Sequence, residues 1–229
     1  MRALVFGGSG GLATALTVAL VERQWQVDVV TRSAKRELIE RHHSKSISDG
    51  AVRVLTVAER YAEFRPAQAY AAHFFTQALF SPGPLAAMDR DSIRQEVEVG
   101  LTDPIELTRN LLADSPPSPG ERRDYCFIGS TSAYAGFRNT SVYCVVKHGL
   151  LGFVRAMNDE YAGSGARFWL CSMGTMNTEM GAQLKDQDPS SFLQPEDVAK
   201  RILDAVCSAS NLFEPEMLMR RRTIRFLGK

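Results

Sequence analysis

The sequence predicts a doubly wound α/β domain, a parallel sheet with helices on both faces. Short apolar runs alternate with amphipathic ones from the first residues onward. The first apolar run ends in a glycine cluster that leads straight into a helical pattern. The length, 229 residues, suits one open sheet domain, and 45 % apolar with 23 % charged residues is ordinary for a globular chain with a sizeable core.

Taken in order, "RALVF" is a short strand, and "FGGSGGLA" over 6–13 turns it into a helix from about Leu12 to Arg23. "QVDVVT" is the second strand, followed by a charged helical run from Ser33 to about His43. "AVRVLTV" and "AAHFFTQA" are the third and fourth strands, and one long amphipathic helix is expected across 90–114. The tract "ADSPPSPGERRD", 113–124, reads as a surface loop, because proline and glycine break both periodicities. "DYCFIGS" is the fifth strand, "SVYCVVKHGLLGFVRAMNDEYAG" a helix and "ARFWLCSMG" the sixth strand. "PEDVAKRILDAVCSA" is a final helix with Pro195, Glu196 and Asp197 in its first turn, where a missing N–H does no harm and acids meet the positive dipole end. "EMLMRRRTIRF" supplies a last, solvated edge strand. The expectation is a single domain over 1–229, with no linker and no repeat.

Composition excludes several classes of function. A net charge of +1 offers no field to attract nucleic acid or an acidic membrane. No apolar run is long enough to span a bilayer, and the apolar start of "MRALVFGGSGG" stops too soon at glycine for a signal peptide. Four dispersed cysteines without a C-x-x-C pair fit a reduced, cytoplasmic compartment. His42 and His43 read as solvated at a helix end, His148 as structural, and no histidine spacing implies a metal.

Ligands of doubly wound folds bind outside the carboxyl ends of the strands. In the first turn Gly7, Ser9, Gly10, Gly11 and Leu12 can bring backbone close to a pyrophosphate, at a helix end whose N–H groups are free. Ala13 stands where a third glycine is usual. At the end of the second strand, "VVTRSAKRE" places Arg32 where an acid would select NAD(H). A guanidinium there favours a 2′-phosphate, hence NADP(H), by roughly 1.5–3 kcal/mol for one charge-assisted bond. Asp28 lies too early in the strand to bind a ribose.

The stretch "YCVVK" places Tyr143 and Lys147 one helical turn apart, so their polar ends share a face among apolar neighbours. Ser130 ends the fifth strand, thirteen residues earlier. With the glycine turn and "SMGTMNTEM" after the sixth strand, this pattern resembles the short-chain dehydrogenase/reductase family, compact branch, over nearly the whole chain. The resemblance implies a Rossmann fold and an NADP(H)-dependent oxidoreductase that interconverts a carbonyl and an alcohol. It also implies roles for individual residues. Tyr143 would be the acid or base, and Lys147 would lower the phenol's pKa and hold the nicotinamide ribose. Ser130 would orient the reacting oxygen, with Ser132 as the alternative. Thr178 and the backbone near Met176 would hold the carboxamide, unless Thr178 simply caps the segment.

Departures from the family pattern are equally specific. Thr76 and Gln77 replace an asparagine pair, Met173 replaces a proline, and Gly100 stands where an asparagine usually bends the helix and its carbonyl holds a relay water. A noncatalytic NADP(H)-binding sensor or scaffold is the alternative these changes raise. Only 49 residues follow Met180, too few for the substrate domain of the extended branch. They leave a short lid at about 179–195 over a pocket that Tyr134, Phe137, Met173 and Met180 are placed to line. The basic tail "MRRRTIRFLGK" reads mainly as solvated, or alternatively as a rim for an anionic substrate. By analogy, helices 90–114 and 143–162 pair subunits into a homodimer or homotetramer.

Overall fold

The computed structural model describes residues 1–118, 120–208 and 213–227. Seven parallel strands form one sheet: β1 (Arg2–Phe6), β2 (Gln26–Arg32), β3 (Val52–Val57), β4 (Ala72–Phe75), β5 (Arg123–Ile128), β6 (Ala166–Met173) and β7 (Glu216–Met219). Their order is β3-β2-β1-β4-β5-β6-β7, so the winding direction reverses between β1 and β4. The helices are α1 (Gly11–Glu22), α2 (Arg36–His42), α3 (Ser44–Ser48), α4 (Arg90–Val97), α5 (Asp103–Asp114), α6 (Ser141–Glu160) and α7 (Pro195–Val206). The expected doubly wound, Rossmann-like architecture is the observed one.

Strand periodicity divides the core in two. On β1, Ala3 and Val5 join the cluster under α1 and α7, while Leu4 and Phe6 join the cluster under α5 and α6. Both faces are covered, which is why β1 reads as an uninterrupted apolar run. Aromatic stacking ties neighbouring strands: Phe75 lies on Phe127 with centroids 4.4 Å apart. On β2, Asp28 is buried and paired with Arg53 and Tyr70, a structural role.

Four expectations need correction. The fourth strand stops at Phe75, because Thr76 turns its hydroxyl back onto the Phe6 carbonyl. The helix across 90–114 is interrupted by a π-helical turn, Glu98–Thr102. There the N–H of Asp103 reaches back five residues to the Glu98 carbonyl, and Pro104 has no N–H to give Gly100. His43 is only 3 % exposed, since the corner between α2 and α3 folds it inward, whereas His42 is exposed. The tail is strand only to Met219; residues 220–227 run back along the lid, with the Asp188 N–H bonding the Arg225 carbonyl and the Leu227 N–H the Asp186 carbonyl, each at 2.9 Å. Helix α7 ends at Val206, and Ala209 of the expected final helix lies outside the described residues.

Candidate active site

A cleft of about 2320 Å³ opens outside the carboxyl ends of β1, β4, β5 and β6. Drug-sized ligands fill roughly 300–1,000 Å³, so this cleft has room for a larger ligand and a second, smaller one. One wall is the first turn. Gly7 takes φ +79°, and a side chain there would run into the Gln77 backbone N at 2.7 Å. The turn thereby delivers Ser9, Gly10, Gly11 and Leu12 to the cleft wall. Gly10 caps α1 without any side-chain hydrogen bond, so the first N–H groups of that helix stay available.

Thr178 and Met176 form the facing wall. A Cβ on Gly11 would lie 2.9 Å from the Thr178 methyl, so glycine sets how closely the two segments approach. The Thr178 hydroxyl accepts the Gly181 N–H at 3.2 Å, and its own N–H donates to the Met176 carbonyl at 2.9 Å. The hydroxyl thus accepts one bond within its own segment.

Ser130, Tyr143 and Lys147 meet at the base of the cleft. Helix α6 places Lys147 Nζ 5.3 Å from the Tyr143 ring centroid, as the one-turn spacing requires. Lys147 is 2 % exposed and donates one hydrogen bond, to the Ile128 carbonyl at 2.8 Å. Phe80 packs edge-on against the Tyr143 ring at 4.9 Å and 72°. Ser130 Oγ accepts the Ser132 N–H at 3.1 Å, and Ser130 lowers the proton affinity of the Tyr143 phenol.

The electrostatics differ from the expected ones. Burial pushes the Tyr143 phenol up to about 12; Ser130 opposes the rise and the Glu96 carboxylate adds to it. Burial draws Lys147 down to about 8, with Glu96 opposing. In the protein alone the phenol is raised by burial, and Lys147 is not among the groups that act on it. Glu96, on α4, does not line the cleft but acts on both groups, and it was not foreseen: amid "RDSIRQEVEV" an acid reads as a solvated helix residue, yet it is the single buried residue of α4. No signal in the sequence marks it.

Arg32 ends β2 with its side chain exposed and outside the cleft lining; Lys35 and His42 reach the lining from the same segment. Tyr134, Phe137, Met173 and Met180 all line the cleft, although Met173 is mainly core at 3 % exposure. Arg220 and Arg221 of the tail stand at its mouth, so the tail is not simply solvated. Arg221 packs on the Phe192 ring at 5.5 Å and, among the described residues, has no carboxylate within ion-pair distance.

The residues present fit a dinucleotide: a close-packed glycine turn at an uncapped helix end, continuous with a buried lysine that retains unused donors. Comparison with known proteins points the same way. A model of the enoyl-(acyl carrier protein) reductase family matches residues 10–205. Carbonyl reductase family member 4 of Xenopus tropicalis is 24% identical over 209 residues, 87% of this chain and 88% of that protein. Among solved structures, an actinorhodin polyketide ketoreductase variant with NADPH superposes with TM-score 0.82 at 18% identity, over 96% of this chain and 94% of the other. An alcohol dehydrogenase from the archaeon Thermococcus sibiricus, complexed with 5-hydroxy-NADP, gives 0.81 at 14%, over 96% of both chains.

Proposed function

The chain belongs to the short-chain dehydrogenase/reductase family, and from that premise we propose that it is an NADP(H)-dependent reductase of a carbonyl compound, with Tyr143 as proton donor. The observation that carries this reading is the convergence of Ser130, Tyr143 and Lys147 at the base of a cleft whose other end is the glycine turn. When bound, the nicotinamide supplies hydride. The chain's own residues bind, orient and move the proton. Ser9 to Leu12 and the α1 N-terminus hold the pyrophosphate, Lys147 the nicotinamide ribose, and Met176 with Thr178 the carboxamide end. Arg32 and Lys35 are the cations available to a 2′-phosphate.

A phenol near 12 is protonated at neutral pH. It therefore holds the proton that a developing alkoxide takes in carbonyl reduction, and the same oxygen takes it back in the reverse direction. Ser130, already against the phenol, hydrogen-bonds the same substrate oxygen. The apolar lining with Arg221 at the mouth fits a partly apolar substrate carrying an anionic end. Subunit pairing through α4–α6 into a homodimer or homotetramer rests on the family resemblance, and sedimentation equilibrium reads it directly: a monomer there removes it.

The test is a panel of ketones and aldehydes, anionic and neutral, followed by NADPH absorbance. NADPH consumption, with anionic members preferred and Arg221→Met erasing that preference, is the expected outcome. NADPH binding with no consumption across the panel favours the noncatalytic reading instead.

A further inference from the structure

Helix α4 is charged and mostly exposed, yet Glu96 near its end is 1 % exposed. One carboxylate oxygen accepts the Ser81 backbone N–H at 3.2 Å, and the other has no hydrogen-bond partner. A buried, half-satisfied carboxylate is costly unless a cation answers it. α4 packs against α6; burial pushes the Glu96 carboxyl up, opposed first by Ser81 and then by the charge of Lys147, which stands beyond ion-pair contact. Lys147 in turn spends one of its three donors on Ile128.

Glu96 also sits one turn ahead of Gly100, the position whose usual asparagine is missing. Gly100 is buried, and a Cβ on it would lie 2.7 Å from Val146 Cγ1, so α6 fills the space a side chain would need.

We propose that Glu96 is a positioning residue whose buried carboxylate is the counter-charge that keeps Lys147 an ammonium. It holds the charge of α6 from α4, the element next to it, without touching substrate. The titratable groups in mutual reach are Glu96 on α4 and Lys147 and Tyr143 on α6, with Cys144 acting on Tyr143. Removing the carboxylate lowers the proton affinity of Lys147, and removing the lysine raises that of Glu96 by the same factor, since the coupling is reciprocal. A purely structural Glu96 would only need to accept the Ser81 N–H, which glutamine also does.

The consequence for turnover rests on the proposed function; the charge coupling does not, so the decisive readout is the titration of Lys147 itself. In protein with ¹³C-labelled lysine side chains, assigned through Lys147→Met, the ε-carbon of Lys147 is followed with pH in wild type and Glu96→Gln. The expected result is a midpoint near 8 in wild type and at least about tenfold weaker proton binding, one unit, in the variant. Glu96→Asp is expected to restore part of it. If Glu96→Gln does not fold, the Glu96 carboxyl carbon is titrated in Lys147→Met, where its proton affinity is expected to rise about tenfold, one unit, relative to wild type. An unchanged midpoint in either experiment overturns the proposal. With an active substrate in hand, the alkaline limb of kcat/KM moves to lower pH in Glu96→Gln. Intact coupling with no turnover on any substrate leaves Glu96 in place and removes the reductase reading.

Discussion

Lys147 carries opposing demands. Buried as it is, its pKa falls from 10.5 to about 8, roughly 3 kcal/mol in favour of the neutral form. Below pH 8 the unfolded chain binds this proton more readily than the folded one, so the group opposes folding there. The penalty is relieved as pH rises from 8 toward 10.5. Glu96 and Lys147 are both buried but not within ion-pair distance of each other, so each keeps a desolvation cost, typically several kcal/mol per ion, that a neutral group of similar volume removes. The double substitution Glu96→Gln with Lys147→Met is therefore expected to melt at a higher temperature than wild type at pH 7, with the gap narrowing above pH 8. A lower melting temperature contradicts this balance. At this scale the sequence was informative where spacing dictates geometry. Tyr143, Lys147 and Ser130 meet because one helical turn and one strand end determine their places. Glu96 was illegible, because only the tertiary docking of α4 on α6 buries it. Arg32 could be placed at the strand end from sequence, but the direction of its side chain could not.

The break between α4 and α5 shows how an element adapts to a missing side chain. The sequence reading took 90–114 as one helix, although Pro104 carries the signal for a break: it cannot donate to the carbonyl of Gly100, four residues back. The helix opens into a π turn without an asparagine to brace it, and Val146 packs where that side chain would stand. Gly100→Asn is thus expected to destabilise the protein by about 1–3 kcal/mol, the usual range for overpacking. Val146→Ala should recover most of that loss. Urea melts of the single and double variants measure it, and a Gly100→Asn protein as stable as wild type counts against the close packing. The tail was misread for a related reason. The run "EMLMRRRTIRF" reads as an edge strand, but after Met219 its backbone pairs with the lid, a long-range contact that local pattern does not encode.

The strand order places the glycine turn of β1 beside β4 at the reversal point and brings the ends of β5 and β6 to the same cleft. This arrangement was legible from the strand–helix alternation, since right-handed crossovers leave few other topologies. Cofactor choice is tested at the end of β2, where Lys35 lines the cleft and Arg32 does not. Arg32→Asp is expected to weaken NADPH binding at least about tenfold, one charge-assisted bond, and NADH binding little, measured by fluorescence titration; equal losses remove Arg32 from the assignment and leave Lys35. The base of the cleft holds the chemistry. The most direct test of the whole account compares wild type with Tyr143→Phe, in the same preparation, for cofactor affinity and for NADPH consumption with an active carbonyl substrate. The account predicts turnover reduced by about 10²–10⁴, the range for a lost general acid, with NADPH affinity nearly unchanged. Undiminished turnover in Tyr143→Phe contradicts it.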